Sequence, residues 1–220
     1  MIKLQLLSVV VILLFTLSPI YGYFEYFQLV LTWPESFCHF NKCNRITPNN
    51  FTIHGLWPDN WSKPLQNCDP LATIDGVLDV EKRSQLDERW PQLKHNKEDG
   101  INLQPLWKGE YKKHGTCCKN MYNEKAYYDL AMNLKDRFDL LKILNNQGIT
   151  PGKTYIVQKV QDAIRTVTHQ LPRLKCVDDP PGLELSEIVI CFEPKGKYVV
   201  SCRRPGTCFK NGKTGTILYR

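Results

Sequence analysis

Long apolar runs are nearly absent from this chain: only residues 4–17 form one, and nothing comparable follows. A protein that crosses a membrane several times is thereby excluded. The run is itself shorter than the roughly 20 residues of a spanning helix, which argues against a lone anchor. With Met1, Ile2 and Lys3 ahead of it and Ser18, Pro19 and Gly22 behind, it reads as a secretory signal peptide over residues 1–22. Internal repeats and low-complexity tracts are also missing, so neither a solenoid nor a disordered tail is expected. No His-Glu-x-x-His or comparable ligand cluster occurs, and we expect no metal and no cofactor. Histidine is scarce, with five in all, at 39, 54, 95, 114 and 169.

Removing the first 22 of 220 residues leaves 198, enough for one domain (23–220) with a sizeable core. All nine cysteines, at 38, 43, 68, 117, 118, 176, 191, 202 and 208, lie in that part. Behind a signal peptide they point to disulfides rather than metal ligation. The odd number leaves at least one thiol over, and the adjacent Cys117 and Cys118 are where to look for it. Sequons at Asn50-Phe51-Thr52 and Asn60-Trp61-Ser62 fit a secreted glycoprotein with no membrane attachment once the leader is gone. The formal charge of +7, or +6 without Lys3, and a pI near 8.9 favour an anionic partner.

Residues 24–33 alternate, with Phe24, Tyr26, Gln28, Val30 and Thr32 on one face and Phe27, Leu29, Leu31 and Trp33 on the other. Pro34 ends this buried strand. Apolar residues recur at helical spacing from 123 to 147, with Gly148 as a stop, and predict one amphipathic helix. A second helix is expected over residues 154–169, with Ile156, Val160, Ala163, Ile164 and Val167 turned to the core and Pro172 closing it. Residues 187–192 and 198–202 read as a hairpin that a Cys191–Cys202 bridge could span. Residues 69–104 are polar, with few apolar periods, and are expected to be surface structure. Helices and antiparallel strands mix without a regular strand–helix repeat, which predicts an α+β fold.

Two segments carry residues suited to proton transfer on a phosphodiester. The first is Ile53-His54-Gly55-Leu56-Trp57-Pro58-Asp59, and the second runs from Leu106 to Cys117. Cleavage of RNA at its 2′-hydroxyl needs one group to take that proton and another to protonate the leaving 5′-oxygen, and histidine serves both near neutral pH. It also needs positive charge or donors at the phosphate. In a helix over 105–114, Glu110, Lys113 and His114 fall three or four apart on one face. Gly115 should stop that helix, and Cys117 could tie it to the loop at Cys68. The alternative for Glu110 and Lys113 is a surface ion pair worth a few tenths of a kcal/mol. The alternative for Trp57 and Trp107 is a place in the core rather than stacking on a base. His39, His95 and His169, with no such neighbours, are expected to be structural.

His54-Gly55-Leu56-Trp57-Pro58, together with Trp107, Glu110, Lys113, His114, Gly115, Thr116 and Cys117, resembles the two active-site blocks of the T2 family of ribonucleases. Within that family, Tyr26-Phe27-Gln28-Leu29-Val30-Leu31 and Val157-Gln158-Lys159-Val160-Gln161-Asp162 look most like the plant S-ribonucleases, the pistil determinants of gametophytic self-incompatibility. The resemblance implies an α+β domain built on a central antiparallel sheet with flanking helices. It implies an extracellular glycoprotein that cleaves single-stranded RNA through 2′,3′-cyclic phosphates. It further implies His114 as general base, His54 as general acid, and Glu110 and Lys113 at the phosphate. Trp57 and Asp59 fall at one base site, Trp90 and Pro91 near a second, and Trp107 belongs with them. The implied disulfides are Cys38–Cys43, Cys68–Cys117, Cys176–Cys208 and Cys191–Cys202, with Cys118 left over.

One departure stands out: many members carry a histidine where this chain has Gly109, which implies weaker binding or a lower rate without loss of activity. Three functions compete. One is a style ribonuclease, acting as a monomer, whose charged stretches around 76–104 meet pollen recognition proteins. Another is an S-like ribonuclease for RNA turnover, phosphate scavenging or defence. The third is an inactive storage or binding glycoprotein.

Overall fold

The computed structural model of the protein describes residues 24–210 and 213–220, so the leader expected at 1–22 lies outside the described residues. The strands are β1 (Tyr26–Thr32), β2 (Thr52–Asp59), β3 (Lys153–Ile156), β4 (Arg173–Asp179), β5 (Gly182–Phe192), β6 (Val199–Val200), β7 (Phe209–Lys210), β8 (Lys213–Thr214) and β9 (Thr216–Tyr219). The helices are α1 (Pro34–Phe40), α2 (Val80–Arg89), α3 (Lys97–Leu103), α4 (Pro105–Lys113), α5 (Glu124–Asp136), α6 (Leu140–Asn146) and α7 (Val157–Thr168), with a 3-10 turn at Gly115–Cys118. The main sheet runs β2-β1-β5-β9-β3, with β4 and β6 also on β5, while β7 and β8 form a separate ribbon. Pairing is antiparallel except where β5 meets β9. The fold is α+β, as the sequence predicts.

Strand β1 is buried along its whole length because both faces are covered. Phe27, Leu29 and Leu31 join the main core with Trp33, Trp90, Trp107, Tyr127 and Ile164. Tyr26 and Val30 join a smaller cluster with Val189 and the Cys191–Cys202 bridge. Deleting any of the large core aromatics would cost about 3–5 kcal/mol, since so well packed an interior relaxes little around a void. Four disulfides are formed, Cys38–Cys43, Cys68–Cys117, Cys176–Cys208 and Cys191–Cys202. Cys118 is buried and unpaired, and burial pushes its thiol up to about 12, which keeps it unreactive.

Three local expectations need correction. The stretch 123–147 is two helices, because Asp139 accepts a hydrogen bond from the Lys142 amide and caps a new helix, while Phe138 turns into the core between them. The helix expected from 154 begins at Val157, since residues 153–156 instead pair with β9 as a strand. Its buried stripe is Val157, Val160, Gln161, Ala163, Ile164 and Thr168, which leaves Ile156 and Val167 exposed. Residues 69–104 are more than a surface coat. They hold α2 and α3, capped by Asp79 and Asn96, and send Val77, Leu86, Trp90 and Leu93 inward.

Candidate active site

Strand β2 carries an irregularity at the first histidine. Val30 pairs with Gly55 and Leu31 with Ile53, so His54 is an extra residue opposite one step of β1. Such a bulge shifts the alternation of side chains by one place. Phe51 and Ile53 face the main core before it and Leu56 faces it afterwards, while Trp57 reaches the other side. His54 and Trp57, three apart and on opposite faces of a regular strand, therefore meet edge to face with ring centroids 5.4 Å apart.

A second bulge lies on β5, across β1 from the first. Lys175 on β4 pairs with Glu187 on β5 but Cys176 pairs with Leu185, which leaves Ser186 extra. Leu183 and Leu185 point to the main core before it, and Ile188, Ile190 and Phe192 after it. Glu187 is thereby moved to the catalytic face, beside Thr32 of β1. Its Oε1 lies 2.5 Å from His54 Nδ1, and its Oε2 accepts from Lys175 Nζ. Neither Glu187 nor Lys175 was legible as a site residue from the two sequence blocks. The available signal was a glutamate inside an apolar strand, which burial tolerates only with a partner.

Helix α4 supplies the other half. Its N-terminus is set by Pro105, and Glu110 projects inward from it, 8% exposed. Trp57 Nε1 donates to Glu110 Oε2 at 2.8 Å, and Glu110 Oε1 lies 3.8 Å from His54 Nε2. Gly55 makes this approach possible: a Cβ there would lie 2.1 Å from Glu110 Oε2 and 2.3 Å from Trp57 Nε1. His114 caps α4, is 7% exposed, and stacks on the Trp57 indole at 4.8 Å. Both of its ring nitrogens are buried without a well-formed hydrogen bond, and the Leu65 backbone is the polar neighbour that opposes the lowering of its pKa. The Cys68–Cys117 bridge and a hydrogen bond from Asn67 N to Lys113 O hold the 60–68 loop against this end of the helix.

The two imidazoles flank one indole but differ in surroundings. Burial alone would lower His54, but the hydrogen bond to Glu187 and the charges of Glu187 and Glu110 raise it above its ordinary 6.5. Burial, then the charges of Lys113 and His54, bring His114 down to about 3. Burial would raise Glu187, yet His54 and Lys175 bring it down to about 2. Burial pushes Glu110 up, against the opposing pull of His54, the Trp57 hydrogen bond and Lys113. The surroundings thus favour the protonated form of His54 and the neutral form of His114.

A cavity lies beside each histidine, although both His114 nitrogens are themselves buried in its wall. A space of about 300 Å³ beside His54 is lined by Pro91, Gln92, Lys94, His95 and Leu106. Another of about 450 Å³ beside His114 is lined by Trp57, Asp59, Lys113, Arg173 and Arg204. Of the residues expected at base sites, Trp57 and Pro91 do line these spaces. Asp59 does too, but both of its oxygens are occupied by Tyr26, Gln28, Arg204 and the amides of Asn60 and Leu65. It braces the wall rather than offering a free acceptor. Trp90 and Trp107 are wholly buried and donate to the carbonyls of His54 and Trp90, so neither presents a ring for stacking. Their part is to hold the His54 backbone. Gly109 is exposed with open space around it. Asn50 and Asn60 are half-buried, the Asn50 amide donating to Asp139 at 3.2 Å. Among the described residues His39, Asp179 and Glu184 bring their ligand atoms within 4.8 Å of one another, but Arg220 already pairs with both carboxylates.

An α+β domain stapled by four disulfides, with two histidines of oppositely shifted basicity between two cavities, is built for acid–base chemistry. The chain belongs to the Ribonuclease T2 family, whose profile matches residues 24–202. It is 52% identical to ribonuclease S-2 of Solanum tuberosum, over the whole length of both. The fold matches that of the self-incompatibility-associated SF11-RNase of Nicotiana alata with a TM-score of 0.84 at 45% identity, covering 90% of this chain and 100% of that one. Ribonuclease MC1 from bitter gourd seeds matches with a TM-score of 0.74 at 28% identity, over 89% of this chain and 100% of the other. The protein is thus a T2-type endoribonuclease.

Proposed function

We propose that the protein cleaves single-stranded RNA by passing protons between His114, His54 and the two oxygens of the scissile phosphodiester. The observation that carries this reading is the opposite setting of the two imidazoles. His114, favoured in its neutral form, takes the proton of the 2′-hydroxyl as that oxygen attacks phosphorus. His54 keeps its Nδ1 proton on Glu187 and presents the Nε2 proton to the departing 5′-oxygen. The products are a 2′,3′-cyclic phosphate and a free 5′-hydroxyl, and water then opens the ring with the roles reversed. Lys113 supplies positive charge to the phosphate. Glu110, its Oε2 held by Trp57, stands with Oε1 3.8 Å from His54 Nε2 and keeps the imidazolium aimed at the phosphate. The cavity beside His114 takes the nucleoside that bears the attacking hydroxyl, and the cavity beside His54 takes the leaving one.

The pH dependence of kcat/KM tests this assignment. His114 must be neutral, so activity is lost as pH falls through its lowered value near 3. His54 must be charged, so activity is lost as pH rises through its raised value, above 6.5. A broad profile with an acidic to near-neutral plateau is expected. Activity that keeps rising well above neutral pH would refute the assignment.

The same reading extends to a secreted, monomeric style ribonuclease of self-incompatibility, with glycan acceptors at Asn50 and Asn60. Similarity to the potato and tobacco S-ribonucleases over their full lengths favours this over an S-like role in RNA turnover. The charged surface of α2 and α3, including exposed Lys97, Glu98 and Asp99, is the face offered to pollen proteins. Transcripts confined to the style are expected, and strong expression in root or leaf would favour the S-like role.

A further inference from the structure

We propose that Glu187, itself anchored by Lys175, is a positioning residue that fixes the transferable proton of His54 on Nε2 and favours the charged ring, with Lys175 tempering that effect. This deepens the mechanism above, because it rests on His54 being the proton donor.

The pair is placed by the sheet. Lys175, Glu187 and Thr32 lie directly opposite one another on β4, β5 and β1, forming a row across three strands that ends beside His54. One glutamate oxygen takes His54 Nδ1, with a weak contact from Thr32 Oγ1 at 3.4 Å, and the other takes Lys175. Both carboxylate oxygens are therefore committed, and the imidazole can carry its transferable proton only on Nε2. Lys175 is itself held over the Trp57 ring, 4.9 Å from its centroid, so the same indole that stacks on His114 also braces the lysine.

The groups facing His54 from its surroundings are Glu187 on β5, Lys175 on β4, Glu110 and Lys113 on α4, His114 at the end of α4, and Lys94 and His95 across the cavity. Among these only Glu187 makes a direct hydrogen bond to the ring. Removing its charge leaves a half-buried imidazole facing more cations than anions. Removing Lys175 acts in the opposite sense, since its charge opposes that of His54 directly while Glu187, paired with the imidazolium, stays ionised.

The test is histidine NMR titration of the full disulfide-bonded protein, with the His54 resonance identified from its loss in His54→Gln. In Glu187→Gln the His54 midpoint should fall by about one unit or more. In Lys175→Met it should rise by a smaller amount, and Lys175→Arg should restore the wild-type value. A merely structural pair would not move the midpoint in opposite directions. An unchanged midpoint in folded Glu187→Gln overturns the proposal, as does a fall in Lys175→Met. Should Glu187→Gln not fold, Glu187→Asp with the two lysine variants carries the same comparison. The alkaline limb of kcat/KM, measured on the same samples, separates the two claims. If the NMR midpoint moves and the limb does not, the pair stands and His54 is not the proton donor.

Discussion

Replacing His114 by alanine is expected to lower kcat on RNA by about 10²–10⁴, and His54→Ala by a similar factor, with EDTA without effect on either variant or the parent. The size follows from what each ring does. An unassisted 2′-hydroxyl is a poor nucleophile at neutral pH and an unprotonated 5′-oxygen a poor leaving group, so losing either transfer removes a whole term from the rate. The two losses should not multiply fully in the double variant, because the steps share one transition state. Both changes are tolerable to the fold. His114 leaves a space under Trp57 and the 60–68 loop, and His54 leaves Glu187 still paired with Lys175. Thermal unfolding of each variant beside the parent separates lost chemistry from lost structure. Full activity in either variant would remove that histidine from the mechanism.

Gly55→Ala should be nearly as damaging, although it adds a single methyl to a residue that performs no chemistry. The new Cβ would lie 2.1 Å from Glu110 Oε2 and 2.3 Å from Trp57 Nε1, where real contacts do not occur. The obstruction falls on both partners of the 2.8 Å hydrogen bond that fixes the site, so Glu110 must withdraw and Trp57 must turn. A shift of about 1 Å in positioned groups can cost on the order of 10² in rate. A buried carboxyl deprived of its partner costs about 1–3 kcal/mol of stability. We expect kcat to fall on that scale and the melting temperature to drop. The stacking of Trp57 between the histidines should loosen as well, visible in its fluorescence. Normal kcat with an unchanged melting temperature would show that Glu110 and Trp57 do not act as a unit.

Much of the fold was legible in the sequence because the longest elements repeat cleanly. The alternation sorts β1 onto two faces as observed, with Phe27, Leu29 and Leu31 on one and Tyr26 and Val30 on the other, but Phe24, expected beside Tyr26, lies ahead of the strand and joins the main core with Phe27. Periodicity failed where a capping residue acts inside a continuing apolar stripe. Leu134, Phe138, Leu140 and Leu144 are all buried, yet Asp139 starts a second helix among them. It failed again at residues 153–156, where pairing with β9 outweighs an apolar spacing that suits either structure. At the site, the two blocks pointed to His54, Glu110, Lys113 and His114, which the fold gathers around Trp57 and the cavity beside it. They did not reveal Glu187 or Lys175, which come from the other end of the chain. The missing signal was the phase of the strands. Apolar residues at 51, 53 and 56 in and just before β2, and at 183, 185, 188, 190 and 192 on β5, change parity once each. Each change marks a bulge, and the two bulges turn His54 and Glu187 toward one another. Burial of Trp90 and Trp107 was likewise invisible from composition, since a tryptophan near a catalytic residue can serve the core or the substrate equally well.

The division of labour between the histidines is tested most directly with a substrate whose leaving group needs no proton, uridine 3′-(4-nitrophenyl phosphate), given to the parent, His54→Ala and His114→Ala. The account predicts that His54→Ala cleaves it within about tenfold of the parent, since only general-acid assistance has become dispensable, while His114→Ala keeps its loss of about 10²–10⁴. Recovery of His114→Ala with continued failure of His54→Ala would contradict the account and exchange the two roles.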